Sequence, residues 1–209
     1  MVTILLKDAV HGNVMTRLGK TIGYKAATEV HRILTFHTVK VAVASGLKVS
    51  LSFAGDTKGS FAQELQKNYP ISIIRQRNGN LGQKIHQALQ ISERSIAIGI
   101  DCPGVTIEDL QTAATASNVI FGPSYDGGYW LIGANNPAIE LFADVPWSTP
   151  SVLQKSINNC KKLSLDYGFL PTRYDIDTYN DLHRLLADPT LPSSLKQRLY
   201  PYARNKNAP

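Results

Sequence analysis

Ser95-Ile-Ala-Ile-Gly-Ile-Asp-Cys-Pro-Gly104, followed by Asn118-Val-Ile-Phe-Gly-Pro-Ser-Tyr-Asp-Gly-Gly-Tyr-Trp-Leu-Ile-Gly-Ala134, decides how the chain folds. An apolar, β-branched run that stops at a carboxylate reads as a buried strand with Asp101 at its carboxyl end. In open α/β sheets ligands bind in the crevice outside the carboxyl ends of the strands, so Asp101 is expected to face a ligand or its metal. Gly127 and Gly128, beside Asp126, let backbone approach that ligand closely.

Outward from this stretch, similar runs recur at Val2 to Leu6, Val49 to Ala54 and Ile71 to Arg75. Helical patterns separate them: Gly23 to Ser45, Ser60 to Lys67, Leu81 to Gln90, and Ile107 to Ala116 behind the capping-box pair Thr106 and Asp109. This alternation predicts an α/β fold, a three-layer αβα domain with a mostly parallel central sheet. Gly128 to Ala134 is expected as a sixth strand, antiparallel or part of a hairpin. After Pro137 come short helices, an extended piece near Leu163 to Phe169 and a helix from Thr178 to Leu186 with Asp181 at its third position. No linker interrupts the chain, so residues 1–209 are read as one domain, with a core over about 1–186 and a peripheral helix and basic tail over 187–209.

The formal charge of +6 is spread along the chain, apart from the tail Lys196 to Lys206. Without a basic helix or a stacking motif it does not point to nucleic acid, and it suits an enzyme that draws in phosphorylated substrates. No apolar stretch reaches the roughly 18 residues of a membrane span, and MVTILLKDAV is too short and too soon charged for a signal peptide. Cytoplasm is the expected location. Cys102 and Cys160 form no C-x-x-C pair, which fits a reducing compartment.

Four segments are expected to meet at one end of the sheet: the loop after the first strand, Gln76 to Lys84, Asp101 with Asp126, and Asp175-Ile-Asp-Thr178. Asp101 and Asp177 are hard oxygen donors of the kind that Mg²⁺ or Mn²⁺ takes alongside substrate phosphates. A helix cap is the competing role for Asp177, and a strand-end turn for Asp101. In the loop Lys7 to Leu18, backbone around Gly12 and the Thr16-Arg17 pair suit a nucleotide, Arg17 as a bidentate phosphate contact. Asn78-Gly79-Asn80-Leu81-Gly82 reads as a turn into a helix whose amino terminus can receive an anion. The five histidines show no metal spacing; His31 and His37 read as packing or surface residues, and His11 as near substrate. Cys102 reads as a small buried hydrophobe, and Tyr129, Trp130, Phe142 and Trp147 as core or pocket wall.

Together these segments resemble the glycosyltransferase-A-like proteins described as radical-SAM-associated transferases or as glycosyltransferases of arsenosugar biosynthesis, within the nucleotide-diphospho-sugar transferase superfamily. The matching residues are Gly12, Val14, Thr16, Arg17 and Leu18; Gly79, Leu81 and Gly82; and Ile98, Gly99 and Asp101 to Gly104. They continue through Gly122, Pro123, Asp126 to Tyr129, Leu131 to Gly133, Trp147, Thr149, Asp175, Asp177, Thr178, Asp181 and Leu182. The order is kept over about residues 2 to 186. The chain departs where it has Met15 for a lysine, Asn80 for an aspartate and Lys84 for an arginine, which removes one positive charge and one contact expected near a nucleotide.

The resemblance implies a GT-A fold and a metal-dependent enzyme that moves a sugar from a nucleotide-diphospho-sugar to a small acceptor. Asp101, with Asp177, would hold Mg²⁺ or Mn²⁺ against the diphosphate. Asp126 would orient hydroxyls or act as base, a role that burial would favour by raising its pKa and that the sequence alone does not show. Lys7, Gly12, Thr16, Arg17, Gly79, Asn80, Gly82, Lys84, Gly127, Gly128 and Tyr129 would line the substrate site. Two alternatives use the same fold: a nucleotidyltransferase that joins a phosphorylated small molecule to a nucleoside triphosphate, and a non-catalytic nucleotide-sugar-binding protein. A homodimer is compatible with the chain.

Overall fold

The computed structural model describes residues 1–204. Its strands are β1 (Val2–Lys7), β2 (Val49–Ala54), β3 (Ser72–Arg75), β4 (Arg94–Ile98), β5 (Val119–Pro123), β6 (Tyr129–Asn135) and β7 (Tyr167–Phe169). Its helices are α1 (Thr16–Ile22), α2 (Tyr24–Ala44), α3 (Ser60–Asn68), α4 (Leu81–Leu89), α5 (Ile107–Thr115), α6 (Val152–Lys162), α7 (Tyr179–Ala187) and α8 (Ser193–Arg204). A 3₁₀ turn covers Ile139–Phe142.

The strands form one sheet in the order β3-β2-β1-β4-β6-β5-β7. All neighbouring pairs run parallel except those made by β6, which is antiparallel to both β4 and β5. The sixth strand is therefore the antiparallel element its aromatic and β-branched content suggested. Because the chain builds outward from β1 through β2 to β3 and then returns to place β4 on the other side of β1, strand order reverses between β1 and β4. The carboxyl ends of these two strands flank the crevice where α/β sheets place ligands.

Alternation along the strands sorts side chains into two cores. Val2, Ile4 and Leu6 of β1, Val49, Leu51 and Phe53 of β2, and Ile96 and Ile98 of β4 face α1, α2, α3, α5, α7 and α8. Ala97, Phe121, Ile132 and Ala134 face the other way, against α4, α6 and the 3₁₀ turn. Burying both faces yields three layers and explains why the central strands read as nearly continuous apolar runs. Thr3, on the second face of β1, is fully buried and donates its hydroxyl to the Ala88 carbonyl at 3.3 Å, which satisfies it.

Two local expectations change. Residues 7–18 are not wholly loop, because Thr16, Arg17 and Leu18 open α1, a seven-residue helix with Gly19 at its centre. Gly19 is required there: a β-carbon would lie 2.5 Å from the Tyr24 ring. The terminal helix expected after residue 187 is α8, while Asn205 to Pro209, the end of the predicted basic tail, lie outside the described residues. Among the described residues no helix is long and apolar enough to cross a membrane.

Candidate active site

At the carboxyl edge the backbone itself stitches the acidic segments together. Beyond β5, the Arg173 amide donates to the Pro123 carbonyl at 3.0 Å and the Tyr125 amide to the Arg173 carbonyl at 3.1 Å. The Ile176 amide then donates to the Asp101 carbonyl at 2.8 Å. These bonds bring the loops carrying Asp101, Asp126, Asp175 and Asp177 side by side, although the residues lie up to 76 positions apart. One side-chain pair reinforces them. Asp109 accepts from the Thr106 amide as a capping box for α5 and, with the same Oδ2, from Arg173 Nη2 at 2.6 Å.

The other wall is held from α2. His31 is buried and its Nε2 lies 3.0 Å from the Lys7 carbonyl; Nε2 of His37 lies 2.9 Å from the Pro103 carbonyl. Burial lowers the pKa of both rings, so the neutral form is favoured and one helix anchors the ends of β1 and β4. Reading His31 and His37 as packing or surface residues missed this anchoring. The signal lies only in three dimensions, since their partners are backbone carbonyls.

Between these walls lies a cleft of about 630 Å³. Of the residues expected at the site, Lys7, Thr16, Lys84, Asp101, Asp126, Gly128, Tyr129 and Asp177 line it. Gly12, Arg17, Gly79, Asn80, Gly82 and Gly127 do not. Asn80 caps its own helix, accepting from the Gln83 amide while Gln83 Oε1 accepts from the Asn80 amide. A β-carbon on Gly79 would lie 2.6 Å from that same Gln83 Oε1, so the turn that begins α4 needs a glycine. Gly82 makes room for Trp147, whose ring would lie 2.9 Å from a β-carbon there. Gly127 has φ +88° and packs beneath the Pro150 carbonyl. Arg17 points to Asp177, with Nη1 and Oδ2 2.5 Å apart; both side chains are largely open to solvent, so the pair adds little stability.

Asn13, Met15, Gln76, Trp147, Ser148, Thr149 and Asp175 also line the cleft; none was named as a substrate or metal residue, while Trp147 is the pocket wall it was read as. For Asp175 the Asp-x-Asp spacing was the available signal, but only the second carboxylate was chosen. For Trp147 the signal was its place in a Trp-x-Thr pair, read only as wall.

The electrostatics are those of a cation-deficient acidic cluster. Four carboxylates, Asp101, Asp126, Asp175 and Asp177, share the lining with two ammonium groups, Lys7 and Lys84. Desolvation first, and then Asp177, raises the Asp101 pKa to about 6, with Lys7 opposing. Asp101 is nonetheless open to the cleft, so water tempers this shift. Asp175 is half-buried and raised to about 7, again mainly by desolvation, with Asp101 and Asp126 adding repulsion. Asp126 departs from expectation. It is exposed, and its Oδ1 accepts from the Ser124 hydroxyl at 2.6 Å and from the Gly128 amide at 2.9 Å. The desolvation expected of Asp126 falls instead on Asp175. Cys102 is buried, and its thiol is pushed well above the ordinary range by desolvation and Asp175, as befits an inert wall residue.

Residues 37–149 match the family model described as an uncharacterized protein conserved in bacteria, DUF2064. The chain belongs to the DUF2064 family. The matched region contains β2 to β6, Asp101 and Asp126. No curated protein matches this DUF2064 chain in sequence. Among solved structures, a protein of Desulfovibrio desulfuricans G20 provisionally described as a nucleotide-diphospho-sugar transferase superposes with a TM-score of 0.83 at 22% identity, covering 97% of this chain and 96% of that one. A nucleotidyl transferase from Methanothermobacter thermautotroptrophicus gives a TM-score of 0.61 at 15% identity, over 88% of this chain and 95% of the other. The inositol-1-phosphate CTP transferase from T. maritima gives 0.54 at 12% identity, over 96% and 95%. These likenesses establish the nucleotide-diphospho-sugar transferase-like fold of this DUF2064 protein.

A divalent ion is what the sequence resemblance implies for this site. Among the described residues no three His, Cys, Asp or Glu side chains form a ready-made metal cage. Mg²⁺, however, usually keeps one or two protein carboxylates and fills its remaining positions with phosphate oxygens and water. Asp101 and Asp177 are two such carboxylates on the cleft, and Asp177 Oδ2 is paired with Arg17, which a metal there would have to displace or share.

Proposed function

We propose that this DUF2064 protein is a metal-dependent glycosyltransferase-like enzyme that moves a sugar from a nucleotide-diphospho-sugar to a small acceptor. The observation that carries the reading is the acidic cluster at the point where strand order reverses, in a cleft whose lining holds twice as many carboxylates as ammonium groups. A diphosphate would be repelled by such a lining. A divalent ion on Asp101 and Asp177 would reconcile the two, neutralising charge on the diphosphate leaving group as the glycosidic bond breaks.

The chain's own residues supply the rest. Lys7 and Lys84 offer the phosphates two ammonium groups, and Asn13, Val14, Met15 and Thr16 line the same cleft, where they would meet the nucleotide. Met15 brings no charge to the position where the resembled family has lysine, which leaves neutralisation to the metal and the two lysines. Asp126, fixed on Oδ1 by Ser124 and Gly128, keeps Oδ2 available to accept from a sugar or acceptor hydroxyl. Asp175 lies half-buried among the other carboxylates and sets the field they share.

Nucleotidyl transfer is the second reading, favoured by the fold shared with the Methanothermobacter thermautotroptrophicus and T. maritima proteins. A triphosphate demands more positive charge than Lys7 and Lys84 supply, and Met15 adds none. Incubation with Mg²⁺ or Mn²⁺ separates the readings. Release of nucleoside diphosphate from UDP-, GDP- or CDP-sugars is expected; release of pyrophosphate from a nucleoside triphosphate and a sugar 1-phosphate would overturn sugar transfer in favour of nucleotidyl transfer.

A further inference from the structure

The segment from Val145 to Ser151 covers one wall of the cleft and is built as a rigid strap. Its backbone turns tightly, with the Trp147 amide donating to the Val145 carbonyl at 2.9 Å. The Thr149 hydroxyl is spent internally, donating to the Pro146 carbonyl at 2.7 Å and accepting from the Ser151 amide at 3.3 Å. Two glycines receive the strap. Gly82 takes the Trp147 ring, and Gly127 takes the Pro150 carbonyl, 2.1 Å from where its β-carbon would stand. The Leu153 amide then donates to the Gly127 carbonyl at 2.9 Å, which couples the strap to the turn that presents Asp126.

Ser148 at the centre of this strap adopts a left-handed conformation, with φ 64°. Glycine would sit there without strain, and asparagine with less. The serine is exposed, lines the cleft, and its hydroxyl has no hydrogen-bond partner among the described residues. The left-handed backbone holds the side chain at the cleft, where its hydroxyl is free to meet a ligand. Beside it stands the half-buried Trp147 indole, held edge to face with Tyr129 at 6.2 Å between ring centroids. An apolar ring surface flanked by hydrogen-bonding groups suits a molecule with one apolar face and a fringe of hydroxyls.

We propose that Trp147 and Ser148, together with Asp126, form the glycosyl subsite: the indole packs against the apolar face of a sugar ring, while the Ser148 hydroxyl and Asp126 Oδ2 engage its hydroxyls. The inference rests on the sugar-nucleotide reading above and adds to it the residues that recognise the transferred group. A structural consequence is separation of labour. Lys7, Lys84 and the acidic cluster hold the nucleoside diphosphate, and the strap reads what is attached to it.

The 209-residue chain reports on this directly, because its two tryptophans are Trp130, 5% exposed, and Trp147 in the strap. Tryptophan emission and calorimetry are followed while UDP, GDP and CDP, and then UDP-glucose, GDP-mannose and CDP-glucose, are added with Mg²⁺. A sugar nucleotide is expected to change the emission more than its parent diphosphate, and Trp147→Phe to abolish the difference. Ser148→Ala, which keeps the β-carbon, should weaken that sugar nucleotide about fivefold, the worth of one neutral hydrogen bond, and leave the diphosphate unchanged. Ser148→Gly should show the same selective loss while raising Tm, a pattern that a purely structural serine would not produce. Equal responses to diphosphate and sugar nucleotide, with Ser148→Ala altering neither, would overturn the glycosyl subsite and leave the functional reading standing. Failure of every nucleotide to bind would overturn both.

Discussion

Asp175 shows how a single carboxylate carries information about a site. Its pKa is raised from 3.8 to about 7, first by desolvation and then by Asp101 and Asp126, so the folded protein holds this proton more tightly than the unfolded chain. The stabilising contribution of such a group is complete below the unfolded pKa and is lost as pH rises through the folded one. Between about pH 5 and pH 8 the metal-free protein should therefore lose stability on account of Asp175 and, in the same direction, Asp101. His31 and His37 act oppositely: their lowered pKa values favour the fold above the unfolded value of 6.5, and this contribution fades as pH falls. Comparing wild type with Asp175→Asn cancels the histidines. The Tm advantage of the asparagine variant should grow from pH 5 to pH 8, and thermal melts at the two pH values check it. A difference that shrinks as pH rises would mean that Asp175 is not desolvated as described. The segment that carries this carboxylate was legible as part of the site, but the half-burial of Asp175 was not. Asp175 enters the cleft only because Arg173 pairs with β5 and Ile176 with Asp101, contacts that no local pattern announces.

At the scale of elements, α5 is the keystone of the acidic wall. Its first-turn residue Asp109 caps the helix and also holds Arg173, whose guanidinium lies 5.5 Å from the Trp130 ring centroid. The Asp109 side chain is 6% exposed and that of Arg173 22% exposed, so removing the aspartate strands a mostly buried cation. Asp109→Ala is expected to cost about 3 kcal/mol in urea denaturation, as breaking a buried pair does. A loss no greater than the roughly 1 kcal/mol of a lone helix cap would show that the pair does not hold the loops. Both capping boxes read from sequence, Thr106 with Asp109 and Thr178 with Asp181, form as expected. The signal is local, and so it survives translation into structure. By contrast α1 was hidden. Its seven residues include Gly19, and its start at Met15 has φ 44° and no capping side chain, so every usual mark of a helix beginning is absent. Asn80 went the other way. A residue weighed as a nucleotide contact spends its amide on α4, and Gly82 acts through Trp147 rather than by touching the cleft itself.

Across the whole molecule, the mostly parallel sheet, the antiparallel β6 and the crevice beside Asp101 were legible, because buried strands ending in carboxylates leave a pattern of period and punctuation; the order of the strands, set by long-range pairing, was not. The net charge was a poorer guide. A chain with a formal +6 places more carboxylates than ammonium groups on its cleft, since charge at a site follows from which loops the fold brings together, not from composition. That contrast makes metal dependence the central claim. Its most direct test is a thermal-shift panel of UDP, GDP, CDP and their sugar conjugates, each with and without Mn²⁺, on wild type and on Asp101→Ala. Binding to the folded state raises apparent stability by mass action, so at least one nucleotide should raise Tm only with Mn²⁺, and Asp101→Ala should lose that rise. A flat wild-type panel, or a rise equally large in the variant, would contradict the account.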